Sequence, residues 1–194
     1  MNRRTSIYIV VEDRRHQSFI RGFLKRAGIG PKEMIFAPIP DGQGSGKQSV
    51  LNQFPDQVRL CRRRNNRAST SLIAMMDADE LTVDRVLNYL DEKLTSTGQD
   101  RIDRARDPIS RVIPKRNIET WISYLISNQA ERADTNESRD IKRTKTKKEW
   151  DDLTPLAVEA FFNWHRFPAD RPASLLDSLA QSFQEIPRAL PADR

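Results

Sequence analysis

The chain has 194 residues, enough for one packed domain with a small addition and a core that needs no staples. Its single cysteine, Cys61, excludes an internal disulfide, and no apolar run approaches the roughly 20 residues that span a bilayer. The formal charge of +6 favours polyanionic partners, and two clusters, RLCRRRNNR (59–67) and KRTKTKK (142–148), carry much of the excess. The apolar part of the opening MNRRTSIYIVVEDRR is too short for a signal peptide, so a cytoplasmic protein is expected.

The first apolar run, SIYIVV (6–11), is rich in β-branched residues and reads as a strand. RRHQSFIRGFLKRAGIG follows, with Phe19, Phe23 and Leu24 at helical spacing and Gly28 at the end. EMIFAPI reads as a second strand and leads into the glycine-rich turn PDGQGSGKQ. A helix is expected from about Gln48 to Arg64, with an interruption at Pro55. In SLIAMMDADE, Leu72 to Met76 is apolar without a break, as in a strand covered on both faces. TVDRVLNYLDEKL has helical spacing at Val83, Val86, Leu87, Leu90 and Leu94, and a short fourth strand, ISRVIP, precedes a helix from near Asn117. Strands alternating with helices predict an α/β fold: a mainly parallel, Rossmann-like sheet flanked by helices over residues 1–126. Residues 127–150 are polar and without period, an expected exposed loop or arm. LTPLAVEAFFNWH and ASLLDSLAQSF predict a helical C-terminal appendage over 151–194, packed on the domain, with Trp121, Trp150 and Trp164 in packing roles.

Acids stand at comparable places on two of these strands. Glu12 ends the first, and Asp77 and Asp79 end the third. If those strands are neighbours, the carboxylates converge on the sheet's carboxyl edge, where open α/β sheets bind ligands. Close carboxylates repel, and Mg²⁺ would offset them while leaving positions for phosphate oxygens. The plainer alternative is local. Glu12 and Asp13 suit the positive end of the following helix, and Asp77 or Asp79 suits a turn.

A glutamate after the first strand and DADE (77–80) after a later one resemble the Toprim pattern, shared by topoisomerases, bacterial primases and overcoming-lysogenisation-defect nucleases. The resemblance covers roughly the first 125 residues. Asp13 stands where the family often has glycine, and His16, one helical turn after Glu12, where a second acid often follows. IPKRNIETW (113–121) is similar to a feature of small standalone Toprim-like proteins found near defence and mobile-element genes. The resemblance implies a Mg²⁺- or Mn²⁺-dependent site for nucleic-acid phosphodiesters, with Glu12 as general acid/base and Asp77 and Asp79 holding metal. It favours a nuclease, since there is no room for a topoisomerase's cleavage-tyrosine domain or for primase zinc and helicase-binding modules. It also suggests a defence setting with DNA rather than RNA as partner and a separate ATPase protein. Oligomeric state is left open, a homo-oligomer included.

Glu119, in the first turn of the helix after IPKR, is a fourth candidate for the metal shell, beside Lys115 and Arg116 as phosphate clamps. Arg62, Arg63 and Arg64 are further candidates for phosphate contact. DGQGSGK (41–47) fails as a Walker A loop. Gly42 is one residue too close to Gly46, and Gln48 replaces the hydroxyl residue. It could still form a backbone nest for phosphate with Lys47 assisting, or be an ordinary strand–helix loop. Two rival functions remain: a non-catalytic nucleic-acid-binding subunit, and a nucleotide-binding protein using this loop.

Overall fold

In a computed structural model the described residues are 6–40, 46–65, 69–127 and 136–191. Four strands form one parallel sheet: β1 (Ser6–Val11), β2 (Met34–Phe36), β3 (Thr70–Met75) and β4 (Ile109–Val112), in the order β2-β1-β3-β4. The helices are α1 (Arg14–Arg26), α2 (Gly46–Asn65), α3 (Val83–Ser96), α4 (Ile118–Ile126), α5 (Lys147–Arg166) and α6 (Asp177–Glu185). This is a Rossmann-like α/β fold, as the alternation of elements predicts. No helix among the described residues is long and apolar enough to cross a membrane.

Side-chain alternation assigns the two faces. Ile7, Ile9 and Val11 of β1, with Ile73 and Met75 of β3, point into a core shared with α1, α4, α5 and α6. Tyr8 and Val10, with Leu72, Ala74 and Met76, point into a second core with α2 and α3. Both faces being covered, β3 has no polar side to show, and Leu72 to Met76 are all fully buried.

Chain order then fixes where the sheet is open. From β1 the chain moves outward to β2, then crosses β1 to reach β3 on its other side. The winding direction reverses between β1 and β3, and the helices on either side of the reversal pack on opposite faces. A crevice opens at the carboxyl ends of such strands, because the loops there diverge.

Two details differ from the sequence expectation. The second strand is only three residues long, since β2 is an edge that pairs with β1 alone. Pro55 does not interrupt α2, whose Phe54, Val58 and Cys61 are held in the second core on both sides of it. The C-terminal helices complete one face of the sheet. Phe161 of α5 lies 5.2 Å from Phe19 of α1, 6.1 Å from Trp121 of α4 and 4.7 Å from Phe183 of α6. Trp121, Trp150 and Trp164 are buried in the same core.

Candidate metal centre

β1 and β3 pair in register through Val11 and Met75, so the residues that follow leave the sheet side by side. The Glu12 amide still donates to the Met75 carbonyl at 3.1 Å, and the Asp77 amide donates to Glu12 Oε2 at 3.0 Å. One strand's end thereby fixes the other strand's carboxylate. Asp13 caps α1, its Oδ1 accepting from the amides of Arg15 and His16, both at 2.9 Å. The cap sets the first turn of α1 so that His16 points inward, fully buried, with Nδ1 2.8 Å from Asp13 Oδ1 and Nε2 2.9 Å from Asp77 Oδ1. Glu12, His16 and Asp77 each bring a ligand atom into a group spanning no more than 4.8 Å, at the switch point between β1 and β3.

Charge explains the pairing. Burial works against a charged imidazole, but Asp77 and Asp13 facing its two nitrogens outweigh that and hold His16 well above its ordinary pKa. Both ring nitrogens face carboxylate oxygens, an arrangement that favours the imidazolium, the form that can donate from each. Glu12 is pushed up by burial and then by repulsion from Asp77, against the attraction of His16 and the Asp77 amide. Asp13, despite burial, is pulled well below the usual carboxylate range by its bonds to His16.

Glu119 belongs to the rim of this cluster. It is fully buried in the first turn of α4 and ion-paired with Arg15, which also reaches Asp151 at 3.2 Å. Its Oε2 is buried without a hydrogen-bond partner, and burial raises its pKa despite the attraction of Lys142 and Arg15. Lys142 comes from a single 3-10 turn, Lys142–Thr144, inside the polar stretch. Burial lowers its ammonium pKa, but Glu119, Asp13, Asp77 and Glu12 together hold it above the ordinary value. Neither the clasp that Asp13 makes on His16 nor this lysine is marked as site chemistry by sequence pattern alone.

Asp79 stands outside the group. The chain turns sharply after Asp77, with the Leu81 amide donating to the Ala78 carbonyl at 3.1 Å and Asp79 at φ 56°, left-handed backbone that aspartate tolerates. That turn aims its half-exposed carboxylate at Lys47 Nζ, 2.9 Å away, and not at Glu12. Lys47 also donates to the Ala78 carbonyl at 3.2 Å. Gly46 explains the last glycine of the loop. A Cβ there would lie 2.2 Å from the Glu12 carbonyl oxygen and 2.9 Å from its Cγ, so α2 can start against Glu12 only without a side chain. Positions 41–45, the rest of the loop, lie outside the described residues.

The other basic candidates divide between the two ends of the sheet. Lys115 and Arg116 follow β4 at the carboxyl edge. Lys115 Nζ donates to the Leu81 carbonyl at 2.6 Å, while Arg116 pairs with Glu80 and lies 3.7 Å from Asp140. Both brace the turn that carries Asp79. Arg62, Arg63 and Arg64 end α2 at the opposite edge. Arg62 is tied to Asp107, ahead of β4, at 2.6 Å and to the carbonyls of Asp100 and Arg101, and Arg64 to the Tyr8 hydroxyl.

These features define a Rossmann-like α/β protein with a carboxylate–imidazole cluster at its switch point. Comparison with family models, curated proteins and solved structures finds no match to this chain.

Proposed function

We propose that the chain is a Mg²⁺- or Mn²⁺-dependent, Toprim-like nuclease, acting in the cytoplasm on DNA phosphodiesters as the effector of a defence system with a separate ATPase. The observation that supports this reading is the convergence of Glu12, His16 and Asp77 at the switch point, with the unpartnered Glu119 Oε2 on the rim. Two carboxylates suit a hard divalent cation such as Mg²⁺ or Mn²⁺, and the His16 imidazole would join them only on giving up the proton it shares with Asp77. When bound, such a cation would offset negative charge on a phosphodiester and make a water more acidic. Glu12 and Asp77 would hold it through oxygen. Without it, the His16 ring lies 2.9 Å from Asp77 Oδ1 and supplies the charge that faces this buried carboxylate. Glu12, raised by burial, is suited to take up and return a proton.

The test is metal-dependent cleavage of labelled DNA and RNA by the purified chain, with and without the product of a neighbouring ATPase gene. Cleavage should require Mg²⁺ or Mn²⁺, stop in EDTA and be lost in Asp77→Asn with the circular dichroism spectrum unchanged. Cleavage that survives this substitution, or none by the wild-type chain with any partner or metal, refutes the reading.

One observation favours a non-catalytic nucleic-acid-binding subunit instead. The acids around Glu12 already face internal cations: His16 for Asp13 and Asp77, Arg15 for Glu119, Lys47 for Asp79. Nucleic-acid binding without cleavage would favour it.

A further inference from the structure

A cleft of about 700 Å³ opens beside the cluster, with Asp13 and Ser18 at the start of α1 on one wall and Lys142, Trp150 and Asp151 on the other. Lys142 is exposed as a whole, yet its ammonium faces Glu119, Asp13, Asp77 and Glu12 together. Its backbone is fixed at two points. The Lys142 amide donates to Asp140 Oδ1 at 3.0 Å, and the Lys142 carbonyl accepts from Trp150 Nε1 at 3.0 Å. Asp140 is held in turn by the side-chain amide of Asn117, the cap of α4, also at 3.0 Å. The backbone is thus bonded in place, whereas the charge rides on a flexible four-carbon stem.

Charge shows why that stem matters. With His16 as imidazolium, four acids (Glu12, Asp13, Asp77 and Glu119) meet three cations (His16, Arg15 and Lys142). A divalent cation held by Glu12 and Asp77 would turn this small negative excess into a positive one, where burial leaves little water to screen it. Release of an internal cation would restore the balance. The three are held differently. His16 is fully buried and bonded through both ring nitrogens, and Arg15 is tied to Glu119 and Asp151 at once. Lys142, exposed and on a stem that can turn outward, is the easiest to move. Glu119 Oε2 is buried without a hydrogen-bond partner, an acceptor ready for the incoming cation or a water on it.

We propose that Lys142 is a resident counter-ion that a divalent cation displaces, so that this lysine sets how tightly the Glu12–Asp77 centre takes metal. The inference rests on the metal-dependent reading of that centre and adds its regulation. In the metal-free chain the Lys142 ammonium offsets the repulsion among the acids. With metal bound it turns out into the cleft while its backbone stays where Trp150 and Asp140 hold it. By linkage, whatever draws Lys142 outward favours metal, and metal favours an outward Lys142 to the same degree. The side chain is separable from the fold, because the Trp150 bond goes to the backbone carbonyl and survives a glutamine at 142.

The experiment is calorimetric titration of Mn²⁺ into the full metal-free chain, for the wild type, Lys142→Gln, Lys142→Arg and Lys93→Gln. Lys142→Gln should bind Mn²⁺ at least about tenfold tighter, the scale of one unit charge beside a divalent ion at a partly exposed site. Lys142→Arg, which keeps the charge, should bind no tighter than the wild type, and Lys93→Gln, on α3, should match it. In the wild type, acetylation of Lys142 by a soluble amine reagent, read by mass spectrometry, should speed up on adding Mn²⁺, while that of Lys93 does not. An ammonium freed from carboxylates yields its reactive amine more readily. Equal Mn²⁺ affinity in Lys142→Gln and the wild type overturns the proposal and leaves the nuclease reading standing. Labelling of Lys142 that ignores Mn²⁺ also overturns it, and decides alone if the glutamine variant does not fold. Tighter binding and faster labelling in a chain that never cuts DNA uphold the counter-ion and sink the nuclease. No Mn²⁺ binding by either chain sinks both.

Discussion

Removing the imidazole of His16 should be costly, and restoring neutrality beside it should recover most of the loss. In His16→Ala the Asp77 carboxylate, 4 % exposed, loses its partner at 2.9 Å while Glu12 remains beside it. Breaking a buried ion pair from one side costs about 3–5 kcal/mol, because the other charge stays out of water. For a chain of this length that is a fall in melting temperature of about 6–20 °C. Asp77→Asn in the same chain removes the stranded charge, so the double variant should be more stable than His16→Ala by more than half of that cost. The assay is thermal and urea unfolding of both single variants and the double in EDTA at pH 6, below the ordinary histidine pKa, where the imidazolium is fully present in the folded chain. A His16→Ala cost below about 1 kcal/mol, or a double variant whose loss is the sum of the singles, would refute the account of His16 as an internal counter-ion.

The folded pKa of His16 is raised above its unfolded value, so its contribution is complete below about pH 6.5 and is lost as pH rises through the folded value. Unfolding free energy in EDTA should therefore decline from pH 6.5 upward in the wild-type chain and lose that component of the decline in His16→Gln. Gly46→Ala should destabilise by about 1–3 kcal/mol or displace the start of α2, since its Cβ meets backbone and not a yielding side chain. Urea denaturation reads the loss, and a neutral result would mean the helix does not press on Glu12. Asp79→Ala should cost less than about 1 kcal/mol, as an exposed pair with Lys47, so that any larger effect on cleavage reports chemistry rather than folding. Glu119→Gln should cost about 1.5–3 kcal/mol by thermal unfolding, because Arg15 loses its charged partner inside the protein.

The strands and their order of appearance were legible because β3 and β1 are apolar enough to announce covered faces, and the acids directly after them could be placed on one edge. Asp13, Thr82 and Asn117 sit where short polar side chains are expected before amphipathic runs. What escaped depends on encounters between distant segments. His16 meets Asp77 across 61 positions and Arg15 meets Glu119 across 104, and no local period encodes either meeting. Asp77 and Asp79, two apart, would share a face of an extended strand. Asp79 itself takes left-handed backbone in the turn and is aimed elsewhere, and neither spacing nor composition reveals it. The Arg62–Arg64 cluster illustrates the converse. Its density suggests a phosphate site, yet the length of α2 carries it to the edge away from the acids, where Asp107 engages Arg62.

Arg15 and Asp151 face each other across the cleft from positions 136 residues apart in the chain. At synthesis rates of about 5–20 residues per second, the start of α1 leaves the ribosome about 7–27 s before its opposite wall exists. In that interval the nascent chain can bring Glu12, His16 and Asp77 together, since β3 follows soon after. It cannot yet enclose anything beside them. A half-made protein thus carries its acidic pocket with one wall of the cleft beside it still missing. The cleft is among the last parts of the molecule to be assembled.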